Sequence, residues 1–369
     1  MCIRAAGAAT VAGVSLRDEI LEQPDAARRQ LSSSAAALEA LAARLMAAPV
    51  DSVVVAARGT SDHAAIYAQY LLGAVDRLQV ALATPSLVSL YGVAPRLDRA
   101  LVIGISQSGA SPDVVGVVES ARRQGAPTLA ITNEPASALG SIAEFVIDLA
   151  AGPEEAVAAT KTYTTSLLAI ARVAIALGPA PDGDPFDPRL LSASIANVPS
   201  WIAEALEVEP AVRALTGELV AGPGSLDRCV VIGRGFEYAT AREWALKLKE
   251  LARVFADPYS AADFLHGPIA LVQPGIPVLV LAPDGAAAAG QIELLRDLRD
   301  RNIDTVVVSD VASTRDLGRW SIGLPAGIPE PLRPIVSIVP AQLFAYHLTL
   351  ARGLDPDEPR YLSKVTRTV

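Results

Sequence analysis

Cysteine and histidine are scarce in this sequence of 369 residues. The chain has two cysteines, Cys2 and Cys229, and three histidines, His63, His266 and His347. Two cysteines so far apart cannot form a disulfide framework or a cysteine-based zinc site, and the histidines lack the spacing of a zinc-binding helix. We therefore expect neither a metal site nor a metal-dependent mechanism.

The chain also lacks an excess of positive charge. Lys and Arg total 31 against 40 Asp and Glu, which gives a net charge of −9 at pH 7. Because a nucleic-acid surface needs clustered positive charge, this balance argues against nucleic-acid binding. The charge balance does not exclude binding of small anionic ligands, since a local group of backbone amides can bind phosphate within an acidic protein.

No uninterrupted apolar run reaches the length of about 18 residues that a membrane-spanning helix requires. Residues 1–16 contain one arginine and many small side chains, but they are too weakly apolar for a secretion signal. Hydrophobic residues make up 51% of the chain, which excludes a disordered protein. We expect a soluble cytoplasmic protein of two domains, with no membrane partner.

Short β-branched runs alternate with longer segments of helical periodicity. The predicted strands are 51–57, 100–106, 128–133, 229–233, 277–282 and 305–310, and two of the predicted helices are 64–72 and 113–123. Buried strands that alternate with helices indicate a parallel sheet covered on both faces.

The two halves of the chain repeat one plan. Arg58-Gly59 matches Arg234-Gly235 at an offset of 176 residues, and the next two strands match at an offset of 177. An almost constant offset across three strands indicates a tandem duplication. The segment 178–188, rich in Pro, Gly and Asp, is predicted to join the two halves.

Three hydroxyls follow one predicted strand, in the sequence Ser106-Gln107-Ser108-Gly109-Ala110-Ser111. At the start of a helix, free amides, the positive end of the helix dipole and hydroxyl donors together favour a bound phosphate. Ser61, in the turn after the first strand, is expected to converge on the same crevice, because ligands of open parallel sheets bind at the carboxyl ends of strands. Helix capping and tight turns are the alternative use of these residues.

Two common nucleotide-binding motifs are absent. The chain has no G-x-x-x-x-G-K-[ST], and residues 233–238 (GRGFEY) lack the last glycine of G-x-G-x-x-G. We therefore expect a phosphorylated metabolite as the ligand and no cofactor. In the second half, Pro283-Asp284-Gly285-Ala286 stands where the serines would be, so one phosphate site per chain is predicted.

A polar stripe is predicted on one helix of the second half. Glu243, Lys247 and Glu250 recur at i, i+4 and i+7, and Trp244, Leu248, Leu251 and Phe255 are predicted to form an apolar stripe beside them. One interpretation is a solvated face with ordinary ion pairs. The other is a carboxylate base whose pKa is set by a nearby ammonium group.

The remaining candidates are isolated polar residues. His266 precedes a Gly-Pro and is predicted to lie in a loop, either as a catalytic group or as a turn-capping one. Taken alone, Lys364 is interpreted as a solubilising charge of the C-terminal tail. His63 and His347 lie on helix-like stretches and are assigned to packing.

Together these segments resemble the isomerase portion of glucosamine-6-phosphate synthase, a tandem pair of sugar isomerase (SIS) domains. The resemblance runs from about Glu19 to the C-terminus and rests on RGTSDHA (58–64), SQSGAS (106–111), AGPEEAVAATK (151–161), GRGFEYATAREWALKLKE (233–250), FLHGP (264–268) and PRYLSK (359–364). It implies an α/β fold with two parallel five-stranded sheets, each flanked by helices in a doubly wound, flavodoxin-like arrangement.

The resemblance also implies an organisation into four segments. These are an N-terminal helical arm (1–33), a first SIS domain that binds the phosphosugar (34–188), a second SIS domain (189–353) and a C-terminal tail that closes over the active site (354–369).

The resemblance implies roles for particular residues. Glu250 would move a proton between C1 and C2 of the sugar, and His266, contributed by the neighbouring subunit of a homodimer, would assist ring opening. Lys364 would act as an imine-forming or positioning amine, with Lys247 in support. The implied substrate-binding residues are Thr60, Ser61, Ser106, Gln107, Ser108, Ser111, Val157, Ala159, Thr160, Glu243 and Ser363.

Two substitutions and one absence depart from the synthase pattern. Ala110 stands where the synthase usually has an acidic residue, and Ala159 where it has a serine. We expect no glutaminase domain before the SIS pair, so this chain is not expected to make ammonia from glutamine. We expect conversion of glucosamine-6-phosphate to fructose-6-phosphate and ammonia. The alternatives are synthesis of the aminosugar phosphate with free ammonia or a separate glutaminase subunit, deglycation of a fructosamine-6-phosphate, and phosphosugar sensing without turnover.

Overall fold

Two parallel five-stranded sheets form the framework of the chain in a computed structural model, which describes residues 15–178, 186–222 and 226–364. The first sheet has the strand order β2-β1-β3-β4-β5. Its strands are β1 (Ser52–Ala56), β2 (Gln79–Leu82), β3 (Ala100–Ile105), β4 (Thr128–Thr132) and β5 (Phe145–Asp148). The three strands predicted in this half are confirmed as β1, β3 and β4, each to within one residue.

The helices of the first half cover both faces of this sheet. They are α1 (Leu16–Leu21), α2 (Gln23–Ser32), α3 (Ala35–Ala47), α4 (Thr60–Val75), α5 (Pro85–Ser89), α6 (Pro112–Arg123), α7 (Ala138–Ile142) and α8 (Lys161–Leu177). The two predicted helices are confirmed as α4 and α6. A capping box between Ser15 and Asp18 begins α1.

The second sheet repeats the topology of the first. Its order is β10-β9-β8-β6-β7, so in both sheets the first strand lies between the second and the third. The strands are β6 (Arg228–Gly233), β7 (Phe255–Ser260), β8 (Val278–Leu281), β9 (Thr305–Ser309) and β10 (Trp320–Gly323). The shared order confirms the repeat that the constant sequence offset predicts.

The second half has eight α-helices among the described residues. They are α9 (Pro188–Ser194), α10 (Val198–Leu206), α11 (Glu209–Ala221), α12 (Glu237–Glu250), α13 (Ala261–Leu265), α14 (Ala288–Asp300), α15 (Ala312–Arg315) and α16 (Pro334–Ala351). Short 3₁₀ turns occupy Ile195–Asn197, Pro268–Leu271 and Glu330–Leu332.

One hydrophobic core crosses the boundary between the two halves. Helices α4 and α8 of the first half pack against α12 and α16 of the second, and the buried residues of all four belong to a single cluster. At its centre the rings of Trp244 and Phe344 meet edge to face, with centroids 5.2 Å apart. Because this packing is continuous, each sheet holds a fixed position relative to the other at the site described below.

Helix α16 is the most apolar helix of the described residues. Together with the preceding 3₁₀ turn it spans Glu330–Ala351, which is long and apolar enough to cross a membrane, but 83% of its most apolar window is buried inside the fold. It packs against α10, α11 and α12 of the second half and against α1 and α8 of the first. The helix is therefore accounted for as the core helix of the second half.

The boundary between the halves falls near the predicted linker. Helix α8 ends at Leu177 and α9 begins at Pro188, while residues 179–185 of the linker lie outside the described residues. The predicted limits of the arm, the two domains and the tail stay predictions.

Candidate active site

The serine-rich loop lies at the carboxyl end of the central strand β3 and leads directly into α6. Gly109 makes this turn possible: its φ is +59°, and a Cβ there would lie 1.9 Å from Oγ of Ser137. The Gly109 amide donates to Oγ of Ser106 at 3.1 Å. Ser111 is the N-cap residue of α6, but its side chain makes no capping hydrogen bond, so that hydroxyl is not explained by helix capping.

A second turn faces the same crevice from the carboxyl end of β1. It contains Arg58-Gly59-Thr60-Ser61 and opens α4, with Gly59 at φ +55°. Strands β1 and β3 are adjacent and parallel, and Ala56 pairs with Gly104. The two turns therefore leave the sheet at the same level, as the position of Ser61 in the sequence predicts.

These turns border a cavity of about 430 Å³. The second half of the chain and the C-terminal tail complete its walls, so residues distant in sequence meet there. The lining residues are Arg58, Gly59, Thr60, Ser61, Ser106, Gln107, Ser108, Ser111, Val157, Ala159, Thr162, Tyr163, Ser166, Lys247, Glu250, Leu362, Ser363 and Lys364.

The polar stripe of α12 is buried rather than solvated. The Lys247 side chain is 1% exposed and that of Glu243 is 0% exposed, so the interpretation of an ordinary solvated face is wrong. Nζ of Lys247 lies 2.6 Å from Oε2 of Glu250 and 3.3 Å from Oε1 of Glu243. Nζ also donates to Oγ1 of Thr60 at 3.2 Å, and this hydroxyl donates in turn to Glu243 at 3.0 Å.

Mutual attraction keeps Lys247 and Glu243 ionised. Burial alone would lower the pKa of the Lys247 ammonium, but the carboxylates of Glu243 and Glu250 outweigh it and hold the pKa above its ordinary value. Burial alone would raise the pKa of Glu243, but the charge of Lys247 and the contact with His63 hold it below its ordinary value. A fixed ammonium therefore stands beside Glu250 in the cavity wall.

The C-terminal tail is anchored over the cavity by Lys364. Its Nζ donates to Oε2 of Glu154 and to the carbonyl oxygen of Ala156, both at 2.7 Å. Buried Glu154 also accepts the backbone amides of Thr160 and Thr162, at 2.9 and 3.1 Å. The tail and the segment before α8 are thus tied together at one carboxylate. Residues 365–369 of the predicted tail lie outside the described residues.

Three predicted site residues do not line this cavity. Thr160 is buried and meets Glu154 through its amide, and Glu243 lies beneath Thr60 and Lys247. His266 is exposed just after α13 and lies outside the cavity wall of its own chain. Its contribution to the site of a second subunit stays a prediction.

Both histidines assigned to packing are buried, and each also contacts a carboxylate. His63 is not merely packed, because its Nδ1 lies 2.7 Å from Oε2 of Glu243. His347 likewise contacts Glu209, with 3.0 Å between Nε2 and Oε1. Phe255 does not continue the apolar stripe of α12, since it begins β7 and is 84% exposed. The chain turns after Glu250, which ends the helical periodicity there.

Sequence reasoning missed six lining residues: Arg58, Gly59, Thr162, Tyr163, Ser166 and Leu362. A helical signal was available for three of them. Ser166 follows Thr162 by four residues and Tyr163 by three, which places all three on one side of α8 near its start. Arg58, Gly59 and Leu362 lie within the quoted motifs RGTSDHA (58–64) and PRYLSK (359–364).

The corresponding crevice of the second sheet is closed. It measures about 10 Å³. Carboxylates of the chain itself accept hydrogen bonds from the backbone amides of its loop. The Asp284 amide donates to Asp310 at 2.9 Å, and the Ala286 amide donates to Glu330 at 3.1 Å. A Cβ at Gly285 would lie 2.7 Å from the Glu330 carboxyl carbon. This filling agrees with the prediction of a single phosphate site. Among the described residues, no three His, Cys, Asp or Glu side chains are grouped to hold a metal ion.

The SIS domain matches this chain twice, over residues 47–176 and 225–352. The chain belongs to the SIS domain family. Both matches coincide with the two sheets, and the tandem arrangement and the α/β fold predicted from the resemblance are confirmed.

Curated relatives and solved structures agree with the tandem SIS assignment. The glutamine–fructose-6-phosphate aminotransferase of Pyrococcus horikoshii is 34% identical over 94% of this SIS chain and 56% of its own length. The SIS chain thus spans about half the length of this relative. The C-terminal domain of the Francisella tularensis glucosamine-fructose-6-phosphate aminotransferase has a TM-score of 0.82 at 24% identity, covering 95% and 100% of the two chains. Glucosamine-6-phosphate deaminase of Thermotoga maritima gives 0.72 at 20% identity, covering 96% and 99%.

Proposed function

We propose that this SIS protein converts glucosamine-6-phosphate and water to fructose-6-phosphate and ammonia. The observation that carries the proposal is the convergence of the hydroxyl-rich loop with Lys247 and Glu250 on one cavity. One end of this cavity suits a phosphate, and the other presents a carboxylate beside a fixed ammonium. Such a pair is what proton transfer between adjacent carbons of a sugar phosphate requires.

The phosphate is bound at the turns that follow β1 and β3. Their amides, the start of α6 and the hydroxyls around the crevice offer donors to the phosphate oxygens. The residues assigned to this binding are Thr60, Ser61, Ser106, Gln107, Ser108 and Ser111. Anchoring the phosphate fixes the distance of C1 and C2 from α12, so the reacting carbons are held within reach of the Glu250 carboxylate.

Proton transfer is assigned to Glu250, whose side chain is 23% exposed in the cavity wall. In the open-chain aldehyde, Glu250 removes the C2 proton and returns it to C1. The C1 oxygen gains a proton and becomes a hydroxyl, while the C2 amine loses one and becomes an imine, so the number of protons is unchanged. Water then hydrolyses the imine with release of ammonia. The Lys247 ammonium stabilises the negative charge that develops on the C1 oxygen during the transfer.

Lys364 is assigned a positioning role. Its ammonium already donates to Glu154 and Ala156, so it holds the tail in place over the cavity. We assign ring opening to His266 of a second subunit, which makes a homodimer part of the proposal. A cytoplasmic location also stays a prediction.

The test is release of ammonia and fructose-6-phosphate from glucosamine-6-phosphate by the purified protein. We expect Glu250→Gln to lower kcat by at least about 100-fold, because it removes the proton acceptor and keeps the side-chain shape. Glu293→Gln, an exposed position on α14, serves as the matched control and keeps wild-type kcat. Failure of the wild-type protein to release ammonia, or full activity of Glu250→Gln, would reject the proposal.

A second candidate is synthesis of the aminosugar phosphate from fructose-6-phosphate and ammonia. The 34% identity to the Pyrococcus horikoshii aminotransferase favours it, and the same proton transfer runs in reverse. The ammonia would come from solution or from a separate glutaminase subunit. Incubation with fructose-6-phosphate and an ammonium salt distinguishes the two directions, since net formation of glucosamine-6-phosphate identifies the synthetic one.

A further inference from the structure

A cation stands at the phosphate end of the cavity. Arg58 follows β1 by two residues, and Ser106 follows the last residue of β3. Because Ala56 pairs with Gly104 in the parallel register, Arg58 and Ser106 leave the sheet at matching positions, two residues beyond that pair. Both residues line the cavity.

Asp113 holds the Arg58 guanidinium by one edge. Nε and Nη2 of Arg58 donate to Oδ2 of Asp113, at 3.1 and 2.6 Å. Asp113 lies in the first turn of α6, two residues after Ser111. Arg58 therefore bridges the two turns that surround the proposed phosphate position. Within the described ranges, its Nη1 has no hydrogen-bond acceptor.

Exposure differs sharply between the two partners. The Asp113 side chain is 4% exposed, whereas that of Arg58 is 47% exposed. A buried carboxylate thus supports the guanidinium from behind, and the remaining N–H groups stay accessible. This arrangement suits bidentate recognition of an oxyanion, for which a planar guanidinium provides the geometry.

The other two cations in the cavity wall are already engaged by carboxylates at the sugar end. Lys247 is held by Glu243 and Glu250, and Lys364 by Glu154. Neutral hydroxyls and amides account for the rest of the phosphate end. A phosphate carries close to two negative charges at pH 7, and among the described residues of the cavity wall Arg58 is the one that offers it a charge-assisted bond at this end.

We propose that Arg58 is a phosphate-binding residue of this site and sets its selectivity for the dianionic phosphate ester. The inference rests on the proposed function, since it concerns the same cavity. The competing role for Arg58 is that of a structural clamp, which would join the two turns through Asp113 without touching the ligand.

The experiment is calorimetric titration of fructose-6-phosphate into the wild-type protein and the variants Arg58→Gln, Arg58→Lys and Asp113→Asn. We expect Arg58→Gln to weaken binding about 10- to 100-fold, with Arg58→Lys intermediate because it keeps the charge and loses the fork. Asp113→Asn is expected to weaken binding much less, since its amide oxygen can still accept from Arg58. Thermal melting of each variant checks its folding.

The pH dependence separates ligand contact from a clamp. Wild-type affinity is expected to rise between pH 5.5 and 7.5 as the phosphate loses its second proton, near pH 6. Arg58→Gln is expected to flatten this rise, which a structural defect would not do.

Wild-type affinity in Arg58→Gln, or equal losses in Arg58→Gln and Asp113→Asn with an unchanged pH profile, would overturn the inference and leave the proposed function intact. Absence of binding by the wild-type protein would overturn both.

Discussion

At the scale of single residues, Thr60 organises the buried polar cluster beneath the cavity. Its hydroxyl accepts from Lys247 and donates to Glu243, while His63 contacts the other oxygen of that carboxylate. The cluster thus joins α4 of the first half to α12 of the second. Removing one charge from such a cluster leaves its partner buried and uncompensated.

Lys247→Met is expected to lower the free energy of unfolding by about 3–5 kcal/mol, because Glu243 would keep a buried charge without its ammonium partner. Chemical denaturation at pH 7 measures the loss. Lys249→Met, at an exposed position of the same helix, is the control and should change stability by less than about 0.5 kcal/mol. Equal stabilities of the two variants would mean that the cluster contributes no net interaction.

Asp76 gives a pH-dependent prediction. Both of its carboxylate oxygens are buried without a hydrogen-bond partner among the described residues, and burial raises its pKa from 3.8 to about 8. The folded state therefore retains a proton that the unfolded state loses, and stability falls as pH rises from about 4 to 8. Asp76→Asn is expected to raise the free energy of unfolding by about 2–4 kcal/mol at pH 7.

At pH 3.5 the same substitution should have almost no effect, because Asp76 is protonated in both states. Denaturant titrations of the wild type and Asp76→Asn at the two pH values provide the comparison. A stabilisation that is the same at both pH values would contradict the shifted pKa.

At the scale of elements, the sequence pattern finds central strands and misses edge strands. Strand β3 is buried along its whole length, and its apolar run is visible in the sequence. The edge strand β2 has no fully buried residue, and the edge strand β7 contains Asp257 and Pro258. An edge strand pairs with a neighbour on one side only, so it tolerates such residues. The apolar pattern of edge strands is therefore weak in the sequence.

The candidate site was predictable to the extent that its residues lie in local motifs. The serine loop and Glu250 belong to motifs whose order is recognisable, and both line the cavity. Burial of Lys247 was not predictable, because spacing along a helix does not say whether its face meets solvent or another domain. Arg58 was missed for a related reason: its partner Asp113 is 55 residues away.

The segment before α8 depends on Glu154. This buried carboxylate accepts from the amides of Thr160 and Thr162 and from the ammonium of Lys364. Glu154→Gln replaces one of its two acceptor oxygens, and we expect faster hydrogen exchange in 360–364 and a loss of about 1–3 kcal/mol of stability. Hydrogen-exchange mass spectrometry reports the first effect and denaturation the second.

The exposed neighbour Glu155 provides the control for this prediction, because its side chain lies outside the cavity wall. Glu155→Gln should leave both exchange and stability unchanged. Wild-type exchange of the tail in Glu154→Gln would show that the ion pair between Glu154 and Lys364 is not what holds the tail in place.

At the scale of the whole molecule, the duplicated halves have the same topology but crevices of different size. The first crevice is open and bordered by hydroxyls. The second is filled by Asp310 and Glu330, whose carboxylates accept hydrogen bonds from the backbone amides of the loop. Arg333 reinforces this closure, since its guanidinium donates to the carbonyl oxygens of Asp284 and Ile328. The second half instead contributes α12 to the site of the first.

This asymmetry predicts one phosphosugar bound per chain. Calorimetric titration with fructose-6-phosphate should give a stoichiometry close to one, because the second crevice presents carboxylates where a phosphate would need donors. Ser106→Ala, which removes a hydroxyl from the open crevice and keeps nearly the same side-chain volume, is expected to weaken binding at least about fivefold. Asp284→Asn, in the closed crevice, should leave affinity and stoichiometry unchanged. A second equivalent of ligand whose binding responds to Asp284→Asn and not to Ser106→Ala would show that the duplicated half kept a working phosphate site.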